Sequence, residues 1–161
     1  MASPIARLFA KTKTICKDTH MDETLKYTKS LMLKNSIALG FIPEGSLEKY
    51  IEKNQLWLQH ENDDPCGYII FGNNPQVCKI YQCCIQIDAR RNKSASDLVQ
   101  RLITKSTNEN RLFISLWCAS DLQSNVFWKS MGFYHNGMRD GGKQRKRVHN
   151  NWVYDLGTKL I

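Results

Sequence analysis

Two stretches of the chain carry residue types that could do chemistry. The first, "IDARRNKSASDLVQRL" at residues 87–102, sets Arg90, Arg91 and Lys93 directly before a helical pattern that buries Leu98, Leu102 and Ile103. The first amides of a helix have no partner inside it and its dipole is positive there, so a strand, a cationic turn and a helix start can cradle a phosphate. Ser94 and Asp97 also form a plain Ser-x-x-Asp capping pattern, which would occupy those amides from within. The second stretch, residues 120–137, offers Asp121, Trp128, Tyr134 and His135 as polar or aromatic groups between two strand patterns. Each has a bland role as well: helix cap, packing group, strand residue and strand surface. Cys118 precedes this stretch, but no paired base accompanies it, and a buried strand cysteine is the simpler reading.

These groups need elements to position them. The spacing predicts a strand at residues 13–17 and a helix at 22–33, then a short helix capped by Ser46 that buries Leu47, Tyr50 and Ile51. A hairpin follows, with strands at 56–60 and 67–71 around the turn at 62–65. Residues 77–87, "VCKIYQCCIQI", are apolar on both faces and read as a central strand. The helix from Ser94 to about residue 107, a strand at 111–119 and a helix ending at Gly132 come next. Strands at 133–138 and 148–156 close the chain around the basic turn "RDGGKQRKR". The order β-α-α-β-β-β-α-β-α-β-β makes a mixed α/β domain over 1–161, with residues 1–12 a loose basic N-terminus.

The opening stretch resembles the pyrophosphate turn of the Gcn5-related N-acetyltransferase (GNAT) superfamily. That signature is Arg or Gln, two variable residues, Gly, one variable residue, and Gly or Ala at a helix start. Arg90 stands in the first place and Ala95 in the last, while Lys93 replaces the first glycine. The second stretch is similar to the family's later helix block: Asp121 takes its Asn place, Ser124 its Ala place and Trp128 its aromatic place, and Gly132-Phe133 match. The resemblance covers the chain from about Leu33 onward.

It implies a central sheet, flanked by helices, whose fourth and fifth strands splay apart around acetyl-CoA. The main chain of Cys84, Ile85, Gln86 and Ile87 would receive the pantetheine arm. Arg90, Arg91 and the amides of Asn92, Lys93, Ser94, Ala95 and Ser96 would receive the pyrophosphate. Ser124, Asn125 and Trp128 would lie beside the cofactor. The Lys93 amide serves most easily at negative φ, since a positive φ there costs about 1 kcal/mol. Trp128 stands where many relatives have a tyrosine that protonates the departing thiolate, and an indole can offer only an N–H donor. The strand stretch Tyr81, Gln82, Cys83 holds no carboxylate, so Asp121, Tyr134 and His135 are left as candidate acid or base groups.

The net charge is +8, and residues 90–105 and the hairpin 139–147 each carry +4. An anionic partner follows from that balance: a phosphorylated cofactor, an acidic amine acceptor, or a nucleic acid. The six cysteines at 16, 66, 78, 83, 84 and 118 form no C-x-x-C pair, so no metal is expected and a reducing cytoplasm is. No run is long enough for a membrane span. The reading is an N-acetyltransferase acting by direct transfer from acetyl-CoA to an amine. The alternative is a catalytically impaired GNAT module that binds CoA, an acidic partner such as nucleic acid, or both.

Overall fold

The protein is described here by a computed structural model, covering the backbone of residues 4–142 and 146–157 and the side chains from Thr19 within that span. Helix α1 (Pro4–Lys34) leads into a single turn, α2 (Ser36–Leu39), and then α3 (Glu44–Glu52). Strands β1 (Leu56–Glu61), β2 (Asp64–Asn73) and β3 (Val77–Ile85) follow, then a 3₁₀ turn at Ile87–Ala89 and helix α4 (Ser94–Asn108). β4 (Phe113–Ala119), α5 (Ser124–Ser130), β5 (Tyr134–Asp140) and β6 (Val148–Asp155) complete the chain. All six strands join one sheet in the order β1-β2-β3-β4-β6-β5. Only β3 and β4 run parallel, as the α4 crossover between them requires.

The alternation of the strands divides the core between two faces. Ile69, Phe71, Ile80, Ile85, Ile114, Leu116 and Trp152 pack with Leu98, Val99 and Leu102 of α4. On the other face Tyr68, Ile70 and Cys84 pack with Leu25, Leu31, Met32 and Leu47 of α1 and α3.

The sheet is open in the middle. β3 pairs with β4 only from Val77↔Phe113 to Ile80↔Leu116, although both strands continue beyond that point. At the same level the β2–β3 register shifts, with Ile70 opposite Gln82 and Phe71 opposite Ile80. Tyr81 is therefore an extra residue on β3. Such a bulge bends its strand and sharpens the local twist, which carries residues 81–85 away from β4.

Gln82, just past the bulge, fixes the rim of this opening. Its Oε1 accepts from the Tyr68 hydroxyl at 2.8 Å and its Nε2 donates to the Leu39 carbonyl at 3.2 Å. Gln82→Ala is expected to cost about 1–3 kcal/mol, because it strands the fully buried Tyr68 hydroxyl without an acceptor and releases α2 from the sheet. Urea unfolding measures that loss, and an unchanged midpoint would contradict the role.

Four expectations change. The strand expected at residues 13–17 lies inside α1, as do residues 4–12, so the domain opens with helix and the sheet has six strands. The physical reason is the lack of any Gly or Pro between residues 5 and 39, so nothing separates those residues from the helix that follows. Ser46 is not a cap, for α3 already begins at Glu44 behind Pro43. The central strand stops at Ile85, and Gln86 and Ile87 belong to the 3₁₀ turn, whose Ala89 N–H donates to the Gln86 carbonyl at 3.1 Å. The Ser94–Asp97 capping box does not form: Lys93 is the N-cap residue, and no side chain bonds the helix start.

Candidate functional site

The gap between the diverging ends of β3 and β4 is the floor of a cleft of about 670 Å³. One wall is β3 from Ile80 to Ile85; the other is Leu116, Trp117, Cys118 and Ala119 of β4. The turn before α4 closes one end with Arg90, Arg91, Lys93, Ser94, Ala95 and Ser96. Ser124, Phe127 and Trp128 of α5, His149 of β6, and Asn35, Ala38 and Leu39 around α2 also line it.

The turn end is built to receive an anion. The Asp97 N–H donates to the Lys93 carbonyl at 2.8 Å, so the amides of Ser94, Ala95 and Ser96 precede the first intrahelical bond of α4. No side-chain cap competes for them. The Ser94 hydroxyl lies 3.8 Å from the Cys66 thiol instead, pulled into the core. Lys93 has φ +62° and Arg91 +71°, a left-handed turn that glycine adopts freely and other residues adopt under strain. Lys93 thus keeps the backbone of a glycine turn, bears about 1 kcal/mol of strain and adds a cation. Binding of CoA should then rank Lys93→Gly and wild type together, both above Lys93→Val, whose β-branch fits this region worst. A valine variant that bound as tightly as glycine would show that the turn geometry does not matter.

Arg90 is fastened in place. Its Nε donates to the Ile85 carbonyl at 2.8 Å and its Nη2 to Asn35 Oδ1 at 3.1 Å, tying the end of β3 to the α1–α2 junction. Arg91 and Lys93 are exposed.

A family model described as an acetyltransferase (GNAT) domain matches residues 18–142. This chain belongs to the GNAT acetyltransferase family. No curated protein sequence matches it. Among solved structures, Ard1 from Thermoplasma volcanium superposes with a TM-score of 0.73 at 13% identity, covering 83% of this chain and 91% of that one. An aminoglycoside 6'-N-acetyltransferase complexed with coenzyme A gives 0.69 at 9% identity, over 85% of this chain and 93% of that one. The yncA protein of Salmonella typhimurium, solved with its cofactor acetyl-CoA, gives 0.69 at 13% identity, over 87% and 90%. At such identities the likeness is one of fold.

Acetyl-CoA is the cofactor of the GNAT family, and the residues here fit it. The uncapped α4 start with Arg91 and Lys93 suits its pyrophosphate, and the strand edge at 81–85, unpaired toward β4, suits its amide-bearing arm.

Of the residues expected at the cofactor, the structure brings Cys84, Ile85, Arg90, Arg91, Lys93, Ser94, Ala95, Ser96, Ser124 and Trp128 into the cleft. It leaves out four. The Gln86 amide donates to the Cys66 carbonyl at 2.9 Å and its side chain accepts from Tyr27 at 3.0 Å. Ile87 is 77% exposed on the far side of the 3₁₀ turn. Asn92 donates to Glu61 at 3.4 Å, outside the lining. Asn125 is a structural knot: its Nδ2 donates to the Ala119 and Leu122 carbonyls at 2.8 and 2.7 Å, and its Oδ1 accepts from Trp152 Nε1 at 2.9 Å.

The expected acid and base candidates fare differently. Trp128 lines the cleft but is 5% exposed, packed edge-on against Phe127 and Phe133. Asp121 lies outside the lining, gripped by Arg147 at 2.9 Å, and that hydrogen bond holds its carboxyl below the usual range. Tyr134 sits on the edge strand β5, 46% exposed and away from the cleft. His135 approaches Asn150 Oδ1 at 3.1 Å, also outside the cleft. Cys118 does line it, with its Sγ 3.2 Å from Ser124 Oγ, but burial pushes that thiol up. Cys83 and Cys84 are pushed up by burial to about 12 and about 11.

Sequence reasoning misses His149 and the α2 residues, and reaches Tyr81 only as part of a strand stretch without a carboxylate. In "RVHNNWVY" strand alternation assigns His149 a face, but nothing local shows that this face borders a gap on the far side of the neighbouring strand β4. Among the described residues no three metal-ligating side chains come together, and no helix is long and apolar enough to cross a membrane.

Proposed function

We propose that this protein is an acetyl-CoA-dependent N-acetyltransferase that passes the acetyl group directly to an amine. The observation that carries the reading is the sheet opening at the Tyr81 bulge, which leads without interruption from the uncapped α4 start to His149 and the α2 rim. When bound, acetyl-CoA supplies a thioester whose carbonyl carbon an amine can attack.

The chain's own groups divide the work. Residues 93–96 and Arg91 would hold the phosphates, and the β3 edge would align the arm so that the reacting carbon meets the α2 side of the cleft. The bulge frees main chain near Tyr81 from regular pairing, and an N–H there is suited to stabilise negative charge on the carbonyl oxygen. Trp128 packs the wall of the cleft. A thiol with a pKa near 8.5 departs as thiolate without a dedicated acid, so no tyrosine is needed in its place.

The acceptor would approach past the rim where Arg147 of the β5–β6 hairpin donates to the Ile37 carbonyl of α2 at 2.6 Å. Within that hairpin Arg139 stacks on Trp117 at 4.1 Å and Arg147 holds Asp121, while Lys146 is exposed; Lys143 and Arg145 lie outside the described residues. This cationic rim suits an acidic acceptor. The five cysteines with described side chains are free thiols.

The test is thiol release from acetyl-CoA in the presence of an acidic peptide with a free α-amino group, an acidic peptide bearing one lysine, a polyamine and an aminoglycoside, beside an RNA titration at two salt concentrations, the acidic peptides being the favoured acceptors. Acceptor-dependent release is expected. Tight CoA binding with no release, joined to steeply salt-dependent RNA binding, would mark the protein as a binding module instead.

A further inference from the structure

We infer that His149 takes the proton from the acceptor amine, an assignment that rests on the acetyltransferase reading above. No carboxylate lines the cleft among the described residues. The titratable groups that do line it are Arg90, Arg91, Lys93, Tyr81, three cysteines and His149. The first three are cations. The cysteine thiols are all raised by burial, Cys83 and Cys84 to about 12 and about 11. That leaves the Tyr81 phenol and the His149 imidazole, and imidazole is the commoner proton acceptor in general acid–base catalysis.

Its setting is specific. His149 pairs with Ala119 on β4 and Arg139 on β5, so it shares their face of the sheet, on the side where Trp117 and α2 border the cleft. Gly141 covers one edge of the ring: a Cβ at that position would lie 2.7 Å from Cε1 and 2.9 Å from Nδ1. Only glycine lets the hairpin close this tightly. Nδ1 is buried there, with no hydrogen-bond partner among the described residues. His149 lines the cleft, and with Nδ1 covered by Gly141 the ring nitrogen left to meet an acceptor amine is Nε2. The charged groups around it are Asp121 on the β4–α5 loop, Arg147 on its own hairpin and Arg139 on β5; the neutral Cys118 thiol lies on β4.

The step balances as follows. Nε2 accepts one proton from the acceptor ammonium, and the freed amine nitrogen bonds to the thioester carbonyl carbon. The C–S bond breaks and its electron pair leaves with sulfur. The thiolate takes the second amine proton to become thiol, and His149 returns the first to water.

The experiment pairs His149→Gln and His149→Asn with wild type, using the acceptor of the four above that releases thiol fastest. A general base contributes about 10²–10⁴-fold, so kcat/KM for that acceptor should fall by at least 100-fold while CoA affinity changes less than threefold. A second readout needs no turnover. Diethyl pyrocarbonate should carbethoxylate His149 in wild type without cofactor, mapped by peptide mass, and CoA with the acceptor should slow that labelling, while exposed His60 reacts alike in both states. Variants within threefold of wild type, or a His149 that stays unlabelled while His60 reacts, would overturn the assignment and leave the acetyltransferase reading intact. Absence of acceptor-dependent release from wild type itself would overturn the reading and the base with it.

Discussion

Trp128→Ala is expected to destabilise the protein by about 3–5 kcal/mol, the usual cost of truncating a large buried aromatic. Trp128 is 5% exposed and forms edge-on contacts with Phe127 at 4.9 Å and Phe133 at 5.2 Å, and Phe133 in turn meets Tyr154 at 5.3 Å. The alanine variant would leave a void at the junction of α5, β5 and β6. Trp128→Phe refills most of that volume and should cost less than about 1.5 kcal/mol. The same pair separates packing from chemistry, since phenylalanine carries no donor. If Trp128 only packs, the Phe variant keeps thiol release within a few-fold of wild type. A loss of 100-fold or more with stability preserved would instead make the indole N–H a participant.

Ser96→Glu is expected to weaken CoA binding on the order of 100-fold or more while leaving the fold as stable as before. Ser96 is the third residue of α4, in the cleft lining, and a carboxylate in the first turn of a helix is favourable to the helix by about 0.3–1 kcal/mol. Against a pyrophosphate at the same amides that carboxylate is repulsive by several kcal/mol at an effective dielectric near 20, and each 1.4 kcal/mol is tenfold. Stability and affinity should therefore move independently. Equal CoA affinity in wild type and Ser96→Glu would place the phosphates elsewhere.

Much of this architecture was legible in the residues. The strand patterns at 56–60, 67–71 and 77–87, the amphipathic helix from Ser94 and the stop at Gly132 follow from periodicity and from glycine's freedom, and each has its counterpart in β1, β2, β3, α4 and α5. The opening of the sheet was legible only through family likeness, because a bulge depends on the register between Ile70 and Gln82 and no local residue announces it. The first strand was misread because Thr12, Thr14 and Ile15 favour strands locally, whereas the uninterrupted run from Pro4 allows one long helix.

The site divides in the same way. The turn at Arg90 to Ser96 is contiguous in sequence, but Lys93 is expected at negative φ and adopts +62°, because the turn keeps the left-handed backbone a glycine would take and Lys93 bears the strain. The acid and base candidates rest on closeness along the chain, and tertiary pairing decides otherwise: Asp121 is claimed by Arg147, His135 approaches Asn150, and Tyr134 lies on an edge strand. His149 reaches the cleft only because β6 lies between β4 and β5, a strand order that the linear sequence does not display.

Amide hydrogen exchange with and without saturating acetyl-CoA tests most directly whether the gap between β3 and β4 is the working site. Binding there should slow exchange in two separated segments, residues 81–85 on the free edge of β3 and residues 91–96 at the start of α4, with β1 and the outer strand β5 unchanged. Saturable binding that left both segments exchanging at their free rates would contradict the account.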